Sequence, residues 1–164
     1  MIVILMGVTA SGKSTIAAEL VRLTGWSFAE GDDYHSAANK QKMHAGLPLT
    51  DEDRVLWLAS LHNVIVTWVR DDQSGVMTCS ALKQSYRDVL TKGVPDGACR
   101  FVLLEAPVAV LEERIKARPG HFMNPDLLQS QLDTLELPQD ALRVDATGSP
   151  ATVAQNILSQ LAPA

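Results

Sequence analysis

Gly7-Val8-Thr9-Ala10-Ser11-Gly12-Lys13-Ser14 fits the pattern G-x-x-x-x-G-K-[ST], and Thr15 follows it. Glycines at both ends let such a segment curl until successive backbone N–H groups converge, a concavity that suits phosphate oxygens. Lys13 is placed to reach the outer phosphates of a nucleoside triphosphate, and the Ser14 hydroxyl to bind Mg²⁺. The segment follows an apolar run and opens an amphipathic pattern, the strand–loop–helix context that this motif requires. The expected nucleotide is ATP, cradled by residues 7–15.

Such a loop names the nucleotide and not the reaction. A guanine-reading Asn-Lys-x-Asp is missing, since Asn39-Lys40 is followed by Lys42. Asp72-Gln73-Ser74-Gly75 spells D-x-x-G but precedes an apolar run instead of leaving one. That run, Val76-Met77-Thr78-Cys79-Ser80, carries no acid of the kind a motor ATPase uses. A small-molecule kinase remains. Its acceptor hydroxyl needs an acid beside the phosphate loop to orient it and take its proton. Glu30-Gly31-Asp32-Asp33-Tyr34-His35 supplies adjacent acids, and Asp32 is the candidate, set against a plain turn or helix cap. His35 suits either substrate contact or helix-start structure.

Cations must gather somewhere in a chain of net charge −5 that handles phosphate. Arg54 stands in the first turn of a helix, where the dipole disfavours it, so it needs an anion: a neighbouring acid or a substrate carboxylate. Lys83 and Arg87 are spaced i, i+4, and such like charges repel unless an anion lies between them or solvent screens them. Arg114 and Arg118 repeat the spacing just before Pro119-Gly120 and His121, as a closing lid with phosphate-binding forks would.

The elements that must position these residues alternate. Strands are expected at Ile2–Met6, Ser27–Glu30, Val76–Ser80, Arg100–Glu105 and Leu142–Ala146. Helical stripes run through Ile16, Leu20 and Leu23; through Trp57, Leu61, Ile65 and Trp68 after a Thr50 cap; and through Val153, Ile157 and Leu161 after Ser149-Pro150. This predicts an α/β, three-layer P-loop NTPase fold: a parallel sheet of about five strands flanked by helices, in one domain over residues 1–164. Ligands of such sheets bind at the carboxyl ends of the strands, where every motif above falls. The acidic total argues against nucleic-acid or anionic-membrane binding. No apolar run is long enough to span a bilayer. No leader pattern precedes Ile2, and Cys79 and Cys99 suggest neither a metal site nor a disulfide framework, so a reducing, cytoplasmic setting is expected.

Taken together, Gly7–Ser14, Gly31–His35, Asn39, Lys42-Met43, Pro48-Leu49, Asp51–Arg54, Trp57-Leu58, Cys79–Lys83, Tyr86-Arg87, Arg118, Gly120-His121-Phe122, Gln131 and Leu135-Glu136 resemble the gluconokinase family. Ser36 stands where the family usually carries proline. The family fills the position of Asp33 variably, which favours Asp32. The resemblance implies phosphoryl transfer from ATP to the 6-hydroxyl of D-gluconate, Mg²⁺, a homodimer, and a nucleoside monophosphate kinase-like fold with a lid near residues 117–135. It further implies Lys13, Asp32 and Arg118 as catalytic, Arg114 and Arg118 on ATP, Ser14 on the metal, and Asp32, His35, Arg54, Lys83, Arg87 and His121 on the substrate. The rivals are another small-molecule kinase such as a shikimate kinase, which carries Gly-Gly-Gly where Ser80-Ala81-Leu82-Lys83 stands, or a non-catalytic nucleotide-binding regulator.

Overall fold

The computed structural model describes residues 1–118 and 125–162. The chain opens with β1 (Ile2–Met6), whose five consecutive apolar residues are all buried. Gly12, at φ 98°, turns the phosphate loop into α1 (Lys13–Thr24), and Gly25, at φ 72°, ends that helix. Next come β2 (Ser27–Glu30), a single 3₁₀ turn over Gly31–Tyr34, and α2 (Ala37–His44). The Ser36 Oγ caps α2 by accepting the Asn39 N–H at 3.1 Å, which serves the helix start in proline's place. A reciprocal capping box opens α3 (Asp51–Arg70): Thr50 Oγ1 accepts the Asp53 N–H at 3.1 Å, and Asp53 Oδ2 accepts the Thr50 N–H at 2.9 Å.

β3 (Gly75–Thr78), α4 (Gln84–Leu90), β4 (Cys99–Glu105) and α5 (Val108–Ala117) follow. The chain is completed by α6 (Pro125–Thr134), β5 (Leu142–Asp145) and α7 (Pro150–Leu161). Ser149 caps α7 and Pro150 fills its first turn, as the sequence suggests.

The five strands form one parallel sheet in the order β2-β3-β1-β4-β5, so the loop leaving β1 emerges at its centre. Alternation along β1 divides the interior in two. Ile2, Ile4 and Met6 pack toward Trp57, Leu61, Ile65 and Trp68 of α3, whereas Val3 and Leu5 pack toward α1 and α7. Each fully buried Leu or Ile side chain contributes roughly 1.5–3 kcal/mol. A third cluster joins the phosphate loop (Val8, Ala10) to α5 (Leu111, Ile115) and α6 (Leu128).

Some expectations shift. Leu23 is exposed, and Ala17 joins Ile16 and Leu20 in the buried stripe of α1. β3 ends at Thr78 instead of Ser80: Cys79 still donates to Leu5 O, but Ala81 at φ 46° turns the chain away. β5 likewise ends at Asp145 rather than Ala146. Of the segment expected to form a lid, α6 is docked against the phosphate loop, and residues 119–124, including His121, lie outside the described residues.

Candidate active site

Three strand exits meet at the carboxyl edge of the sheet. Gly31 follows β2 so close to β3 that a Cβ there would sit 2.0 Å from Thr78 O, so only glycine fits. Its N–H donates to Thr78 Oγ1 at 3.0 Å, and that hydroxyl donates in turn to Glu30 Oε1 at 2.8 Å. The other carboxylate oxygen, Glu30 Oε2, accepts from Ser14 Oγ at 2.8 Å. Glu30 thus ties the phosphate loop to β2 and β3. Only its place as the last residue of β2 could have singled it out in the sequence.

A cavity of about 360 Å³ opens over this junction. Lys13, Ser14, Glu30, Asp32, His35 and Trp57 line it. Asp51, Arg54 and Lys83 line it together around Tyr86, and Arg118 and the α6 residue Gln131 line it as well. Lys13 Nζ donates to Gly7 O at 2.8 Å and Val8 O at 3.0 Å. Its pKa lies below that of an ordinary lysine because burial penalises the charge, while Asp32 and Glu30 pull it upward. Gln131 Oε1 accepts the Thr9 N–H at 2.7 Å, which fastens α6 to the loop.

Asp32 lines the cavity beside Lys13; Asp33, the next residue, does not. His35 is buried, stacked on the Trp57 ring with centroids 4.1 Å apart and planes at 15°. Burial first, then Arg54 and Lys40, push its pKa down to about 4, so the ring is neutral near pH 7.

Arg54 forms no ion pair with any of the three acids of its own helix start, Asp51, Glu52 and Asp53. Asp53 pairs with Lys42 at 2.8 Å; that bond, with the Thr50 N–H, holds its carboxyl down at about 2. Asp51 accepts from the Tyr86 hydroxyl and from Lys83 Nζ at 2.9 Å, and these bonds lower its pKa. Arg54 donates only through Nη1, to Leu49 O at 2.7 Å and the Tyr86 hydroxyl at 3.0 Å, with its guanidinium 5.2 Å from the Tyr86 ring centroid. Among the described residues no carboxylate pairs with it.

Each expected cation pair is split. Lys83 is the residue before the first turn of α4 and faces the cavity, whereas Arg87 is 2% exposed inside the helix. The Arg87 fork donates to Ala81 O at 2.6 Å and Glu136 O at 2.8 Å, so it ties the chain together away from the cavity wall. Arg118 caps the end of α5 and lines the cavity. Arg114, in the helix, donates to Ala10 O at 3.2 Å and Ala146 O at 2.6 Å, fixing the phosphate loop against the exit of β5. The i, i+4 rule assumes both members are helical, and in each pair the cavity-facing cation lies just outside its helix.

A phosphate loop, an acid at the exit of β2 and a group of cations around one cavity define a P-loop kinase. A family model described as an AAA domain matches residues 2–138. The gluconokinase of Gluconobacter oxydans (strain 621H) is 42% identical over 158 residues, covering 94% of this chain and 88% of that relative. The crystal structure of a gluconokinase from Sinorhizobium meliloti 1021 superposes with a TM-score of 0.86 at 40% identity, covering 97% of this chain and 90% of that one. The chain belongs to the gluconokinase family. A shikimate kinase from Aquifex aeolicus covers 98% of this chain and 96% of its own at a TM-score of 0.63, but at 19% identity it shares the fold alone.

Proposed function

We propose that the protein transfers the γ-phosphoryl group of ATP to the 6-hydroxyl of D-gluconate, giving 6-phospho-D-gluconate. The observation that carries this reading is how the cations lining the cavity divide: Arg118 lies near enough to Lys13 to lower its pKa, whereas Arg54 and Lys83 gather around Tyr86 and Asp51. Asp51 offsets one of those last two cations. The Arg54, Lys83 and Asp51 group therefore carries about one net positive charge, which suits one carboxylate. A sugar acid of gluconate's length would set its carboxylate there and its primary alcohol beside Asp32.

Asp32 aligns that alcohol with the γ-phosphate and accepts its proton. Lys13 and Arg118 face the charge spread over the transferred group. Arg114 supports the nucleotide through the loop it holds. The chemistry of Ser14 Oγ and Glu30 suits Mg²⁺, which keeps most of its waters and takes few protein ligands, Asp32 standing near enough to orient those waters. Bound there, the ion would neutralise phosphate charge. We read α6 and residues 117–124 as the lid, His121 among them.

A homodimer is part of the same reading. Val55, Leu56 and Val66 lie exposed on α3, Leu56 at 81%, and apolar side chains so placed favour burial against another surface. No helix among the described residues is long and apolar enough to cross a membrane, and both cysteines are free thiols, which fits a cytoplasmic kinase.

The test is a coupled ATPase assay across gluconate, other aldonates, glucose and shikimate. Gluconate should be turned over with the highest kcat/KM. Preference for an uncharged sugar or for shikimate would overturn the reading. Arg54 gives a sharper check. Arg54→Ala should weaken apparent gluconate binding by ~2–4 kcal/mol and leave the KM for ATP nearly unmoved. An unchanged gluconate KM with a lowered Tm would assign Arg54 to tethering Leu49 and Tyr86 instead.

A further inference from the structure

Asn39 is an amide only 6% exposed, four residues beyond His35. Its Nδ2 donates to the Asp53 carbonyl oxygen at 2.7 Å and lies 3.3 Å from His35 Nδ1. A backbone carbonyl can only accept, so the atom facing it must be the amide nitrogen and not the amide oxygen. One of that nitrogen's two N–H groups goes to Asp53 and the other to His35. His35 Nδ1 is therefore an acceptor, and the single proton of the neutral ring resides on Nε2.

The rest of the ring's surroundings hold that edge in place. Trp57 stacks on it, and Trp57 is itself anchored by donating from Nε1 to Gly31 O at 2.8 Å. Nε2 makes no hydrogen bond to the described residues, yet it is not sealed in. His35 borders both the main cavity and a second hollow, whereas Asn39, which holds the Nδ1 edge, lines only the second, which leaves the opposite, Nε2 edge to meet the main cavity. The charged groups that act on the ring are Arg54 from α3 and Lys40 from α2; Asp32 of the 3₁₀ turn lines the main cavity with it, Glu52 of α3 lines the second hollow, and the Asp53 carboxylate is directed to Lys42 and Thr50.

We propose that Asn39 is a positioning residue for the phosphoryl acceptor: it locks His35 in the Nε2–H tautomer, so that a neutral ring donates a hydrogen bond to an oxygen of the bound sugar acid. This rests on the reading that the cavity takes a sugar acid. It makes His35 neither a base nor a cation. A fixed donor beside Asp32 accepts nothing from the substrate, so it favours an oxygen with a free lone pair at that point and does not compete with Asp32 for the hydroxyl proton. With a pKa near 4, the donor persists across the whole range in which the enzyme would operate.

The first measurement needs no variant. In ¹⁵N-histidine-labelled protein, the imidazole resonances of His35 should report protonated Nε2 and bare Nδ1 from about pH 5 to about pH 8. An Nδ1–H tautomer or an imidazolium near neutrality would overturn the proposal, whatever the enzyme phosphorylates. The kinetic arms use whichever sugar acid the panel shows to be turned over. His35→Phe keeps the stack and removes the donor, and should raise the sugar-acid KM about 10- to 100-fold with the ATP KM unmoved. His35→Gln, whose amide N–H reaches a similar point, should recover most of that loss.

Asn39→Asp has no N–H to give and presents an acceptor to Nδ1. The ring should then take its proton on Nδ1 when neutral and keep Nε2–H only as the imidazolium. The sugar-acid KM of this variant should rise with pH through the histidine's raised pKa, where the parent enzyme is flat. If His35→Phe binds the sugar acid as the parent does, the donor role fails while the kinase reading stands. If no sugar acid is phosphorylated at all, the kinase reading fails and the proposal falls with it.

Discussion

Lys13→Ala should fold and lose about 10³–10⁵ of kcat, the scale on which a single cation facing a transferred phosphoryl group acts. The lysine sits where that charge is needed: lining the cavity, between the loop carbonyls of Gly7 and Val8 and the acids Asp32 and Glu30. Without a nucleotide its Nζ bonds those two carbonyls; phosphate oxygens, being charged, are better acceptors and would draw it away. Removing it costs the fold little, because each hydrogen bond is worth about 1 kcal/mol net and the freed carbonyls can turn to water. The phosphate loop loses its one cation, and the acids around it then repel the triphosphate. Circular dichroism melts should therefore nearly coincide for the two proteins while kcat collapses. Near-parental turnover by a folded variant would end the phosphate-loop assignment. A second signature follows from the depressed pKa: burial makes the lysine lose its proton at lower pH than a free lysine. The alkaline limb of the parent's kcat/KM profile for ATP, which reports the free enzyme, should begin correspondingly early.

Much of this site can be traced in the residue order, and what cannot has a common physical character. Strand β1 declares itself by five apolar residues in succession, and the loop after it by glycines whose φ angles of 141° and 98° other residues resist. Thr50 and Ser149 declare their helices because capping is a contact between residues three apart. Arg87 and Arg114 do not declare their roles: their carbonyl partners Glu136 and Ala146 lie 49 and 32 positions away, and no local spacing reports such a bond. Glu30 escaped for a similar reason, since its meaning comes from Ser14 and Thr78, which the sheet brings to it from 16 and 48 positions off. Asp51 and Asp53 look alike as acids of a helix start, yet one balances the Lys83 and Tyr86 wall and the other serves the cap and Lys42. Local periodicity shows which face is buried; it does not say what the other face will meet.

Asp32→Asn should lower kcat by roughly 10²–10⁴, the range for removing a positioned general base, and change the gluconate KM much less. Phosphoryl transfer passes through a loose transition state, so the acceptor oxygen attacks before its proton has moved far. In the proposed mechanism Asp32 therefore matters first as the acceptor that points the 6-hydroxyl at phosphorus, and only later as the proton's destination. Asparagine keeps the size and one oxygen but presents an N–H in half of its orientations and has no basicity to offer. Binding should survive, because the proposed reading gives the carboxylate end of gluconate to Arg54 and Lys83, which the substitution leaves in place. Asp32 also raises the pKa of Lys13, so its neutralisation should drive that lysine's pKa lower still and move the alkaline limb of the kcat/KM profile for ATP further toward neutral pH. Asp33 makes the comparison decisive. It is one residue away, carries the same carboxylate and is exposed, but lies outside the cavity wall, so Asp33→Asn should stay within a few-fold of the parent in kcat and leave the alkaline limb where it was. The measurement is kcat, both KM values and the alkaline limb for the two variants in parallel. A crippled Asp33→Asn beside an active Asp32→Asn would move the base by one residue and turn the 3₁₀ segment over Gly31–Tyr34 so that its other carboxylate meets the substrate.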